Sequence, residues 1–237
     1  MKKKIVVLTG AGVSAESGLS TYRDNNGLWD NYDPMEVASI DGWMRDPGRV
    51  LSFYNGLKTR IRDVQPNTAH RAIAALQEKY DVAVVTQNVD NLHERAGSKE
   101  VIHLHGEATK VRPEYGAYDR TYSEKEVIDI GYKAVNLGDK AENGRQLRPH
   151  IVFFGEAVPK IEVAADLVNQ ADIVLIVGTS LQVYPAAGLY HYARTDAAIY
   201  LIDPADVPVD KSRVTHIKAT ATAGMPLFLE ALEKDSK

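Results

Sequence analysis

The chain of 237 residues predicts an α/β fold built on a doubly wound parallel sheet. Three observations lead there. Four short, β-branched apolar runs each end in turn residues, as strands buried on both faces do. Helical patterns fall between the runs. The first run leads directly into a glycine-rich turn, the place where such sheets receive phosphates.

The runs are KIVVLTG (4–10), VAVVTQN (82–88), IVLIVGT (173–179) and AIYLIDP (198–204), with a weaker fifth, VIHLHG, at 101–106. Asn67 is suited to cap a helix in which Ala69, Ile73, Leu76 and Tyr80 share one face. Further helices are expected over 161–171, 185–193 and 225–234. Two segments break the alternation. Residues 25–66 carry Trp29, Tyr32, Trp43, Phe53 and Tyr54 at helical spacing and contain no good strand. Residues 108–147 are polar and rich in Tyr, Glu and Lys. Both exceed an ordinary crossover and read as insertions beside the main sheet. That sheet then draws on about 1–24, 67–107 and 148–237.

Composition narrows the function classes. With 44% hydrophobic and 25% charged residues the chain is ordinary for a globular protein. A net charge of −4 gives no basic field for nucleic acid or an anionic membrane. No run of ~18 apolar residues predicts a membrane span. MKKK is followed only by IVVL, too short for a secretory signal, so a cytoplasmic location is expected. The absence of cysteine excludes disulfides, thiolate nucleophiles and cysteine-held zinc.

Gly10-Ala11-Gly12-Val13-Ser14-Ala15 fits the phosphate-binding pattern G-x-G-x-x-G/A after a strand. It also fits a tight strand-to-helix turn. The acid usually found ~20 residues on falls at Asp24, Asp30 or Asp33, where no strand is expected. Asp203, ending the 198–204 run, is the alternative ribose partner or a plain strand-ending Asp. Gly178, Thr179 and Ser180 follow another strand and suit a second cofactor contact. Gln87, Asn88 and Asp90 offer amides and one carboxylate for ribose hydroxyls and a carboxamide, although helix capping alone accounts for Asp90. His103 and His105 invite a metal reading. The other reading makes His105 a general base beside a glycine and leaves His103 structural.

Taken together, GAGVSAESGLSTYRD, TQNVDNLHERAG, VIHLHGE, LRPHIVFFGE and GTSLQVYPAAG resemble, in order, the blocks of the sirtuin family of NAD-dependent protein deacylases. The class III branch of bacterial and mitochondrial members is the most similar. The resemblance implies a Rossmann-like domain that binds NAD, with a smaller inserted domain. It implies that Gly10, Ala11, Gly12, Ser14 and Ala15 form the phosphate loop and that Tyr22 and Arg23 flank the nicotinamide ribose. Gln87, Asn88 and Asp90 match ribose and carboxamide contacts, and Gly178, Thr179, Ser180, Asp203 and Ala221 match the remainder of the cofactor site. His105 matches the base, with Asn88 beside the reaction. Val152, Phe154, Gly155 and Glu156 match the edge that pairs with substrate peptide, and Tyr54 and Leu57 match the acyl pocket. The 151–156 stretch also reads as another core strand. The implied mechanism has an acyl-lysine oxygen attack the ribose carbon as nicotinamide leaves. His105 then takes a ribose proton, and O-acyl-ADP-ribose is released. Acyl-lysine proteins or peptides are the expected partners, without nucleic acid or membrane.

The sequence departs from the family twice. The family holds a zinc on four cysteines, but Pro113, Gly116, Lys140 and Asn143 stand near those places, so no zinc is expected. Packing of Tyr115, Tyr118, Tyr122, Val127, Ile128 and Tyr132 is expected to hold the module instead. Members that remove succinyl or malonyl groups carry Tyr and, three residues on, Arg; here the pair is Tyr54 and Leu57. Lys58 lies about 100° around a helix from Leu57 and is expected to face elsewhere. Neutral acyl groups are therefore the expected substrates, unless Arg60 or Arg62 reaches the pocket. The rival functions are an NAD hydrolase or ADP-ribosyl transferase, a desuccinylase or demalonylase despite Leu57, a non-catalytic NAD or ADP-ribose binding module, and a metal hydrolase.

Overall fold

The structure is a computed structural model and describes residues 2–19, 32–115 and 122–234. Its centre is a six-stranded parallel sheet of β1 (Lys4–Thr9), β2 (Asp81–Thr86), β3 (Val101–His103), β7 (Ile173–Val177), β8 (Ala198–Ile202) and β9 (Val214–Ile217). The order is β3-β2-β1-β7-β8-β9. The chain runs outward from β1 through β2 to β3 and returns on the other side at β7. The crevice between the β1 and β7 ends is therefore a topological switch point, where sheets of this kind take ligands.

The two-residue period of a strand divides the core. Val6, Leu8, Val174, Ile176, Ile199 and Leu201 face α7 (Ile161–Gln170) through Ala164 and Val168. Ile5, Val7, Val84, Leu175, Val177 and Ile202 face α5 (Thr68–Ala75) and α8 (Ala221–Lys234) through Ile73, Met225 and Phe228. Each fully buried apolar side chain contributes about 1.5–3 kcal/mol. Asn67 caps α5 by accepting from the Ala69 and His70 amides. Among the described residues, no helix is long and apolar enough to cross a membrane.

The interrupting segments fold as one neighbourhood. After the short α1 (Gly12–Ala15) come α2 (Pro34–Val37), α3 (Ile40–Arg45) and α4 (Pro47–Asp63). Asp33 caps α2 through the Met35 amide; Asp24 and Asp30 lie outside the described residues. A three-stranded antiparallel sheet, ordered β5-β4-β6, joins β4 (Gly106–Pro113), β5 (Ile128–Asp129) and β6 (Leu147–Ile151). A shared core of Val37, Trp43, Val50, Phe53, Tyr54, Val111, Val135, Ile151 and Phe153 unites the helices with this sheet. α6 (Leu92–Ala96) completes the set.

Several expectations need correction. Residues 186–192 wind as a 3-10 helix rather than an α-helix, and α8 begins at Ala221, which leaves Pro226 inside it. Ile128 pairs with Val111 through its backbone but its side chain is exposed; Ile130, Val135 and Leu147 supply the packing instead. Tyr115 is buried, bonds Glu126, accepts from Asn143 at 3.1 Å and lies under the Arg145 guanidinium at 4.6 Å. Tyr122 stacks on Arg112 and His150. Gly116 and Tyr118 lie outside the described residues.

Candidate active site at the sheet rim

The turns after β1 and β7 close against each other. The Gly12 amide donates to the Gly178 carbonyl at 2.9 Å, and the Gly10 amide to that of Val177 at 3.1 Å. A Cβ on Gly12 would lie 2.7 Å from the Gly178 Cα, and one on Gly178 (φ +62°) 2.4 Å from the Val13 nitrogen. The glycines are thus required by loop-on-loop packing at the switch point. This contact brings Thr179 to the Gln87 amide, which donates to its hydroxyl at 3.2 Å.

Below the turn the polar strand ends converge. The Ser14 hydroxyl donates to Asp90 Oδ2 at 3.0 Å. Asn88 donates to the Ser14 hydroxyl at 3.2 Å and to the Gly10 carbonyl at 3.1 Å. Asp90 Oδ1 accepts the Leu92 amide at 3.0 Å, so this carboxylate caps α6 and also joins the network. Burial pushes its carboxyl above the ordinary range, against the lowering effect of the Leu92 and Ser14 bonds.

His105 lies in the turn between β3 and β4, half-buried. Its Nδ1 lies 3.0 Å from the Gln87 carbonyl. A carbonyl only accepts, so Nδ1 carries the proton and Nε2 keeps its lone pair in the neutral ring. Burial draws the pKa below the ordinary histidine value, partly offset by that bond. His103 differs. Its Nδ1 meets the Asn88 carbonyl at 2.8 Å and its Nε2 meets Glu94 at 2.7 Å, so both nitrogens donate. Burial opposes the charged form, yet the Glu94 bond and charge hold the pKa above ordinary. The two rings therefore do not form one ligand set. Glu94, His103 and Glu107 are close enough to share an ion, but Lys110 already bonds Glu107 at 2.8 Å.

Two histidines at the site escaped the sequence reading. His70 Nε2 lies 3.4 Å from the Ser14 hydroxyl, and His93 Nε2 lies 3.0 Å from that of Thr9, with the rings 4.8 Å apart. Their positions, on α5 and α6, became adjacent only on folding. Burial lowers the His70 pKa to about 4, that of His93 well below its ordinary value, and that of His150 to about 3. All three are neutral in the native state near pH 6, whereas the unfolded chain protonates them below about 6.5. The unfolded state then binds more protons, so stability falls as pH drops from 6.5 toward 4. Thermal melting across pH 4.5–7.5 is expected to show a falling midpoint on acidification, and a smaller fall in His150→Phe; a pH-independent midpoint would contradict this.

The other predicted site residues are distributed as follows. Asp203 is buried and accepts the Ala205 amide at 2.9 Å. Ala221 lies in the apolar layer under α8, and Ala11 is exposed. Ala15 and Ser180 are half-buried beside the two turns. Tyr22 and Arg23 lie outside the described residues. Tyr54 is buried, 6.0 Å from Phe153, and Leu57 packs on the same cluster as Val89. Lys58 is also buried, donating to the Lys133 carbonyl at 2.6 Å, while Arg60 and Arg62 sit on the exposed face of α4.

The 152–156 segment differs from a free edge. Val152 donates to the His105 carbonyl at 3.0 Å, and the Phe154 backbone pairs with Ala38 and Ile40 at 2.8 and 3.0 Å. Gly155 adopts φ +92° against Ile40. Glu156 turns inward: it accepts from the fully buried Arg148 at 2.8 and 3.1 Å and from the Phe153 amide at 2.8 Å. Its carboxylate is an internal partner of the buried guanidinium. Arg148 lies 4.1 Å from the Phe153 ring centre, and Arg112 adds a longer contact to Glu156 at 3.4 Å.

The model of the Sir2 family matches residues 10–185. The chain belongs to the Sir2 family. An NAD-dependent protein deacylase of Bacteroides thetaiotaomicron is 54% identical, the match covering 91% of each chain. One from Helicobacter pylori is 52% identical over 85% of each. Among solved structures, a Sir2 homolog–NAD complex aligns with a TM-score of 0.83 at 35% identity, covering 100% of this chain and 91% of that one. Membership accounts for the Rossmann-like sheet and for the conjunction of polar strand ends at its rim.

Proposed function

We propose that the protein is an NAD-dependent protein-lysine deacylase. The observation that carries this reading is His105, whose Nε2 is left with a free lone pair at the switch-point rim beside the Ser14–Asn88–Asp90 network. The donor set suits a dinucleotide: paired glycine turns, amides at Gln87 and Asn88, the Thr179 hydroxyl and a strand-ending carboxylate at Asp203. Bound NAD would supply an electrophilic ribosyl carbon with nicotinamide as its leaving group. Asn88 and Asp90 hold fixed dipoles there and need no reorganisation as charge develops. His105 accepts a proton at Nε2, while Gln87 keeps the ring in the required tautomer.

Tyr54 and Leu57 border the acyl group in this reading. The described cations of α4 are engaged or turned away, so a dicarboxylic acyl group would meet Leu57 without a partner. Acetyl-lysine peptides are expected to turn over faster than succinyl-lysine peptides. Leu57→Arg is expected to reverse the preference by supplying a bidentate donor for the carboxylate. Comparing kcat/KM for both peptides in both proteins checks this, and faster desuccinylation by the unmodified protein contradicts it. Nicotinamide release that proceeds equally with and without acyl-peptide would favour an NAD hydrolase instead.

A further inference from the structure

Residues 130–135 join two parts of the site that have no covalent reason to stay in register. α4 brings Leu57, and the loop after β2 brings Val89, to the same apolar cluster. Segment 130–135 is bonded to both. On the α4 side, Asn55 donates to the Val135 carbonyl at 2.8 Å and accepts the Val135 amide at 3.0 Å. One turn along the helix, Lys58 reaches the Lys133 carbonyl. On the loop side, the Tyr132 hydroxyl lies 3.0 and 3.1 Å from the two side-chain polar atoms of Asn91, next to Asp90. Val135 is buried in the cluster, and the Ile130 amide ties the segment to β4 through Thr109.

Lys58 makes this arrangement informative. An amine buried to 3% exposure against one carbonyl is a costly way to fill space. A methionine of similar length would pack there without that cost. What the lysine adds is a donor directed at a backbone carbonyl, and so a defined distance between α4 and the segment.

We propose that residues 130–135 form a positioning strut, with Tyr132, Asn55 and Lys58 as positioning residues. The strut holds α4 at a set separation from the loop carrying Asn88 and Asp90, and thereby fixes the acyl length the site accepts. The inference rests on the deacylase reading. Displacements of about 1 Å in such frameworks change rates by up to ~10²-fold, so modest loosening is measurable.

The test compares Tyr132→Phe and Lys58→Met with the unmodified protein and with Tyr115→Phe. Tyr115 bonds Glu126 and Asn143 in the same module, both outside residues 130–135. kcat/KM is measured with NAD on acetyl-, butyryl- and decanoyl-lysine peptides. The decanoyl-to-acetyl ratio is expected to shift at least threefold in both strut variants and to hold in Tyr115→Phe, even where that variant lowers the melting temperature. An unchanged ratio in the strut variants, or an equal shift in Tyr115→Phe, overturns the strut. If either strut variant fails to fold, Asn55→Ala, which removes both side-chain bonds to Val135, carries the same comparison. Absence of NAD-dependent deacylation in the unmodified protein overturns the deacylase reading itself, and the two failures are thus distinguishable.

Discussion

Replacing His105 with alanine is expected to lower kcat/KM for NAD-dependent deacylation by ~10²–10⁴-fold, the range of a positioned general base. Cofactor binding should be largely retained, because the ring's hydrogen bond among the described residues is to the Gln87 carbonyl, and the Gln87 side-chain amide is held by Thr179. Isothermal titration with NAD, set beside steady-state kinetics, separates the two effects. The pH profile gives a second readout. A base must be deprotonated to act, and burial draws His105 below the ordinary value of about 6.5. Activity should therefore be flat above neutrality and fall only at lower pH. Loss of binding together with activity would make the imidazole a structural group.

The second large effect concerns Glu156. The sequence assigns it to the substrate edge, but the structure makes it the partner of a fully buried guanidinium. Removing Glu156 leaves Arg148 with a longer contact to Glu114 at 4.0 Å in place of two short bonds, and breaking such a buried pair costs about 3–5 kcal/mol. For a chain of this size each kcal/mol shifts the melting temperature by roughly 2–4 °C, so Glu156→Ala should melt roughly 10 °C lower. Adding Arg148→Met to it should recover much of the loss, because the stranded charge is then gone. A KM increase for peptide with unchanged melting would restore the substrate-contact assignment.

The contrast between these residues shows how much was legible beforehand. The β1, β2, β7 and β8 runs are buried on both faces, so their hydrophobicity is continuous and visible. Asn88, Asp90 and His105 follow from one rule: polar groups just past buried strands converge at the rim. β9 was missed because it is four residues long and only Val214 is buried. The β4–β6 pairing was missed for a different reason. It joins 106–113 to 147–151 across a register shift, and its buried positions include Arg112 and Arg148. A charged residue in sequence reads as solvated; the arrival of Glu156, with Glu114 and the Ile151 carbonyl beside it, makes the burial of Arg148 tolerable. In the sequence the glycines fit both room for phosphate and a tight strand-to-helix turn. At Gly10, Gly12 and Gly178 the space that a side chain would need is filled by the facing loop.

The most direct measurement is mass-spectrometric product analysis of one reaction containing NAD and an acetyl-lysine peptide. The account predicts one nicotinamide and one O-acetyl-ADP-ribose for each lysine freed, with all three products strongly diminished in His105→Ala. Free acetate appearing without NAD consumption, or nicotinamide released at the same rate when the peptide is omitted, would contradict it.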